Sequence, residues 1–155
     1  MKKRLVSAII CGAMVLSSVV PVFADGGAKI ALVGKSAGNA FFEIAAASFV
    51  ETAEAEGATV DTVYPETATA DAQIKVLDNL ISQDYDAICL SANDVNALQA
   101  KLEEAMDEGI KISCFDSATN PDSRQIFVNQ AGTVAVGQAL LDEIGRASCR
   151  ERVSG

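Results

Sequence analysis

IALVGKSAGNAFF, residues 30–42, decides the fold of this chain. Residues 29–34 are expected to form a strand of continuous apolar character, as when both faces of a parallel sheet are covered. Ser36, Ala37 and Gly38 then make a turn of small residues, and an alanine-rich helix starts at Asn39. A strand that turns directly into a helix is half of a βαβ unit. In open sheets of such units the ligand crevice lies outside the carboxyl ends of the strands. Lys35, Asn39, Phe41 and Phe42 stand at that end. A cation, an amide and two aromatic faces there suit a small polyol.

Working outward, the rhythm repeats. A helix is predicted over residues 39–56, with Ile44, Phe49 and Val50 as its larger anchors and Ala45, Ala46, Ala47 and Ala53 allowing close packing. Gly57 ends it, the usual role of glycine at a helix C-terminus. A second strand spans residues 59–64, and a loop follows over 65–70. From Asp71, the spacing of Ile74, Leu77, Leu80 and Ile81 gives a buried stripe at helical period. A third strand (87–90) leads into the turn Ser91-Ala92-Asn93-Asp94, where Asn93 or Asp94 can cap the next helix. That helix presents Leu98, Leu102 and Met106 and stops at Gly109. A fourth strand (110–115), a short fifth (125–128) and a helix from Thr133 complete the pattern. The expected fold is α/β: an open parallel sheet with helices on both faces, right-handed crossovers and flavodoxin-like strand order.

The two ends read differently from the body. Lys2, Lys3 and Arg4 precede an apolar stretch over residues 5–20, and Val22 and Ala24 offer small residues for cleavage before Asp25. Residues 1–24 are expected to be a signal peptide; the run falls short of the roughly 20 apolar residues that span a bilayer. Residues 144–155 break the style of the chain with Arg146, Arg150 and Arg152. They resemble the translation of a sequencing-adapter read-through, so a non-native tail is expected there, with native sequence stopping near Asp142 or Glu143.

Between residues 25 and 143 stand six Lys and Arg against twenty Asp and Glu, a net charge of about −14. So acidic a body argues against nucleic acid, whose binders need a basic face. The chain has no histidine, the commonest metal ligand and general base. No metal or cofactor is expected. Cys89 and Cys114 lie within apolar strand patterns and read as small buried hydrophobes.

A parallel sheet brings all its carboxyl ends to one rim. Lys35, Phe41 and Phe42 should therefore meet Ser91, Asn93 and Asp94, and also Asp116 and Ser117. Lys35 supplies up to three donors and Asp116 up to four acceptor sites, enough to hold hydroxyls by charge-assisted bonds. An aromatic face can cover the C–H side of a sugar ring. Asp94 serves equally well as a helix cap.

The order of these segments carries a family resemblance. Residues 31–42, Gln83-Asp84-Tyr85-Asp86-Ala87-Ile88, Ser91-Ala92-Asn93-Asp94, Phe115-Asp116-Ser117 and Asn129-Gln130 together resemble the amino-terminal lobe of periplasmic sugar-binding proteins of the ribose-binding type. The rhamnose-binding and autoinducer-2-binding branch is the most similar. The resemblance implies that Lys35 and Asp116 contact the ligand, with Ser91 in the serine-led turn after the third strand. Ala118 stands two places after the aspartate, where that branch often carries a second acidic or small residue, and this leaves the choice of ligand open.

The resemblance also implies a non-enzymatic, exported and monomeric binding protein. It would close two lobes on a sugar or sugar-like signal and deliver it to an ABC transporter permease in the membrane. Residues 25–143 would form one lobe, the second being absent. Sensing rather than transport is the alternative. A sugar-responsive transcription regulator would carry a basic helix-turn-helix where the leader stands. An enzyme on a flavodoxin-like sheet would need an activated nucleophile or paired carboxylates, and Asp94 and Asp116 are the candidates.

Overall fold

The computed structural model describes residues 27–153; the expected signal peptide lies outside the described residues. Five strands, β1 (Lys29–Val33), β2 (Thr59–Val63), β3 (Ala87–Leu90), β4 (Lys111–Phe115) and β5 (Ile126–Val128), form one sheet. Its order is β2-β1-β3-β4-β5 and every pairing is parallel. This is the expected flavodoxin-like order. The chain reverses its winding between β1 and β3, so the switch point that makes a crevice falls beside their carboxyl ends.

Side-chain alternation sorts the strands into two faces. Ala31, Val33, Ile88, Leu90, Ile112 and Cys114 point to one side and are essentially excluded from water. Against them pack Leu77 and Leu80 of α2 (Ala70–Ile81) and Leu102 and Ala105 of α3 (Gln99–Asp107), with Leu98 just ahead of α3. This is the main core. On the opposite face, Leu32, Cys89 and Phe115 meet Ala45 and Phe49 of α1 (Ala40–Ala55) around an apolar cleft of about 250 Å³. The two cysteines therefore face opposite sides of the sheet: Cys89 pairs in register with Ser113, and Cys114 with Leu90.

The stops of α1 and α3 rest on glycine. After α1, Ala58 N donates to Ala53 O and Gly57 N to Glu54 O, with Gly57 at φ 86°. The close of α3 repeats this: Ile110 N donates to Ala105 O behind Gly109 at φ 92°. Such a left-handed residue lets the chain double back onto the last carbonyls, and only glycine adopts it without strain.

Two expectations about α1 are corrected. Ile44 does not anchor the helix: it is 71% exposed. Ala47 is exposed as well, and the buried contacts are Phe42 and Ala46. A helix so rich in alanine is apolar nearly all round, so its sequence has little amphipathic contrast to show which side faces the sheet. The last helix, α4 (Thr133–Val153), runs unbroken through the residues read as a non-native tail. It leaves Val134, Leu140, Leu141 and Ile144 exposed.

Candidate functional site

Three strand-end loops meet at the switch point. Lys35 follows β1, Ser91 and Asn93 follow β3, and Asp116 and Ser117 follow β4. Lys35 Nζ donates to Ser117 Oγ at 2.5 Å and lies 3.3 Å from Asp116 Oδ2. Ser91 Oγ donates to the same Oδ2 at 2.8 Å, and Ser117 Oγ at 3.3 Å. Four residues expected at the rim thus form one connected group. The side chains of Lys35 and Asp116 are 29% and 31% exposed, sheltered yet reachable from solvent.

Burial by itself would raise the Asp116 carboxyl. The Ser91 hydroxyl, the Lys35 charge and hydrogen bond, and the Ser117 hydroxyl outweigh it, and the group is held below the ordinary aspartate value. Its backbone is also unusual. Asp116 sits at φ 57°, a left-handed conformation that aspartate tolerates better than most side chains. The turn aims the carboxylate back across the ends of β3 and β1.

The remaining expected residues divide by role. Asn93 Nδ2 donates to Lys35 O at 3.3 Å, so its side chain ties the β3 loop to the β1 loop. Asn39 is the N-cap of α1, its Oδ1 accepting from Phe41 N at 3.0 Å. Asp94 caps the turn before α3, accepting from the amides of Asn96 and Ala97 at 2.8 Å each. Those amides, that of Ala97 most, hold its carboxyl below the ordinary value. Of the phenylalanine pair, Phe41 is 47% exposed while Phe42 is buried. Phe42 lies edge-on between Phe41 and Phe115, with ring centroids 5.1 and 6.2 Å away. Phe41 therefore offers the aromatic face, and Phe42 supports it.

Two further residues support the group from beneath. Gly34, just before Lys35, leaves room for the Tyr64 ring, into which any Cβ would run; Tyr64 Oη in turn donates to Phe42 O at 3.4 Å. Gln73 of α2 is wholly buried beneath the rim. Its signal was present, since residue 73 lies in phase with Leu77 and Leu80 on the buried face. Among the described residues no group of three or more His, Cys, Asp or Glu could hold a metal ion. Nor is any helix there long and apolar enough to cross a membrane.

In a parallel sheet covered on both faces, the switch point is where a ligand crevice lies, and here polar groups gather there. Residues 30–148 match the family described as periplasmic binding protein domain, and the chain belongs to that family. Among solved structures it is similar to an ABC transporter solute-binding protein from Clostridium phytofermentas with bound L-rhamnose. Identity is 43% and the TM-score 0.74, over 76% of this chain and 37% of that one. LsrB from Clostridium saccharobutylicum in complex with AI-2 is 32% identical with a TM-score of 0.72, over 80% of this chain and 38% of that one. A solute-binding protein from Burkholderia graminis in complex with D-arabinose, 24% identical with a TM-score of 0.73 over 81% of this chain and 43% of that one, shares the fold. The chain thus spans less than two-fifths of the length of the first two proteins.

Proposed function

We propose that this chain is the amino-terminal lobe of an extracytoplasmic solute-binding protein that delivers a sugar or sugar-like signal of the rhamnose or autoinducer-2 class to an ABC importer. One observation carries the reading. Among the described residues, every hydrogen bond to the Asp116 carboxylate lands on Oδ2. Oδ1 is left to accept from a ligand hydroxyl, beside a lysine that still has a proton to donate. Ser91 and Ser117 hold the carboxylate still, and Phe41 stands close by in the chain to cover a sugar ring. The likeness to proteins solved with L-rhamnose and AI-2 supports the ligand class.

The group binds without reacting. Asp116 is paired and its carboxyl held low, the opposite of what a general acid needs near neutral pH. Asp94 is committed to backbone amides. Residues 1–24 act as an export signal, residues 25–143 form the lobe as one jaw of a monomeric two-lobe clamp, and residues 144–155 are a non-native tail. Closure of the clamp on ligand is the form that the membrane permease reads.

Calorimetric titration of the intact gene product with L-rhamnose and with AI-2 tests this. Saturable one-to-one binding of at least one ligand is expected, with the sugar recovered unchanged. Lys35→Met and Asp116→Asn should each weaken it about 10- to 100-fold, the worth of roughly 1.5–3 kcal/mol for a hydrogen bond to a charged group. Conversion of the sugar, or indifference to both substitutions, refutes the reading. Residues 25–143 alone should bind weakly or not at all, because one jaw leaves the ligand open to water.

A further inference from the structure

Gln73 lies one turn into α2 and is completely buried, although its side chain is fully polar. Its amide bridges two loops of the rim. Nε2 donates to Ser91 O at 2.8 Å and to Gly34 O at 3.4 Å. Oε1 accepts from Asn93 N at 2.9 Å. These partners fix the orientation of the amide, since two carbonyls require the NH₂ and an N–H requires the oxygen. Asn93 then returns to the β1 loop through Nδ2 and Lys35 O, and reaches Thr69 O, the N-cap residue of α2, at 3.5 Å. A closed circuit results: α2, the β3 loop, the β1 loop and back to α2.

We propose that Gln73 is the positioning residue of the ligand rim, holding the loops after β1 and β3 at the spacing from which Lys35 and Ser91 both reach Asp116. It acts through backbone. Gly34 adjoins Lys35, and the Ser91 carbonyl held by Gln73 belongs to the residue whose hydroxyl meets Asp116. An apolar side chain of the same length would leave two carbonyls and an N–H without partners at the junction, and the loops would part to find water. The role as a ligand rim rests on the proposed function; the spacing itself does not.

The test therefore needs no ligand. Carbon-13 NMR titration follows the Asp116 carboxyl in the full chain, in Gln73→Met, in Gln73→Glu and in a control, Leu80→Ala, at the far end of α2. Both Gln73 variants should move the Asp116 midpoint up toward the ordinary aspartate value, because the Ser91 hydroxyl and the Lys35 charge draw away from it. Leu80→Ala should lower the melting temperature and leave that midpoint unmoved. A Gln73 variant that melts earlier yet titrates Asp116 as the unsubstituted chain does would overturn the proposal.

Hydrogen exchange of the Asn93 amide in the unsubstituted chain gives an independent check should a variant not fold. Protection of about a hundredfold or more over an unstructured chain is expected, and exchange at the unstructured rate overturns the proposal. Failure of the sugar-binding reading would show separately, as absent calorimetric titration with the Asp116 response intact.

Discussion

Replacing Asp116 separates its charge from its backbone. The gross attraction between Lys35 and Asp116 at 3.3 Å is about 5 kcal/mol at an effective dielectric constant of 20. Desolvation and the partial exposure of both groups offset most of this, leaving about 1 kcal/mol. Asp116→Asn should lose roughly that ionic part, as its amide oxygen can still accept from Ser91 and asparagine tolerates φ 57°. Asp116→Ala also loses the hydroxyl contacts and strains the left-handed turn, for a total of about 2–3 kcal/mol.

Asp116→Gly removes the same groups without the strain. A left-handed alanine costs about 1–2 kcal/mol, whereas glycine forfeits about 0.4–1 kcal/mol of unfolded-state entropy. Glycine should therefore be more stable than alanine by about 0.5–1 kcal/mol. Urea denaturation at pH 7 should rank the chains in the order aspartate, asparagine, glycine, alanine.

The pH dependence supplies a second criterion. A carboxyl held low in the folded state contributes stability above its unfolded value and loses it as pH falls through the folded value. The gap between the unsubstituted chain and Asp116→Asn should therefore narrow as pH falls below the ordinary aspartate value, every other carboxylate being common to both. An alanine variant as stable as glycine, or a gap unchanged in acid, would refute the reasoning.

Three further outcomes are expected. Phe42→Ala should cost about 3–5 kcal/mol as a buried aromatic truncation, while Ile44→Ala, on the exposed side of α1, should stay within about 0.5 kcal/mol; thermal melts of the two distinguish core from surface. Tyr85 donates to Asp61 Oδ2 at 2.8 Å, and burial, then that hydrogen bond and charge, push its phenol up to about 12. Its contribution to stability should thus be lost as pH rises from about 10 to about 12, and Tyr85→Phe, about 1 kcal/mol less stable at neutral pH, should lack that loss; alkaline denaturation curves decide. Cys89 and Cys114 should remain thiols under mild oxidation, since they face opposite sides of the sheet and burial pushes the Cys89 thiol up; a mapped Cys89–Cys114 disulfide would contradict that geometry.

The sheet is legible because the central strands β1 and β3 are short apolar runs closed by turn residues, and glycines end α1 and α3. Strand ends then placed Lys35, Ser91, Asp116 and Ser117 together, as a parallel sheet requires. Which atoms pair could not be read that way. It depends on the positive φ of Asp116, which a sequence containing aspartate rather than glycine does not announce. Asp94 was ambiguous for a related reason: a carboxylate in a turn serves amides or ligands equally well until its backbone is seen. Gln73 lies on the buried face of α2 with Leu77 and Leu80, but a polar amide does not mark that face as a hydrophobic side chain does. Ile44 was misplaced because α1 is apolar on nearly every side.

The pairing of Lys35 with Asp116 also bears on selectivity and on kinetics. Two opposite charges 3.3 Å apart cancel at a distance, so the rim casts almost no field into solution, while the surrounding body is strongly acidic. An uncharged sugar meets neither attraction nor repulsion on approach, and its capture rate should hold steady across ionic strength. A sugar acid or sugar phosphate meets the field of the acidic body and finds the lysine already engaged. On the proposed function, the acidic body would turn such anions away at long range, before any hydroxyl is tested.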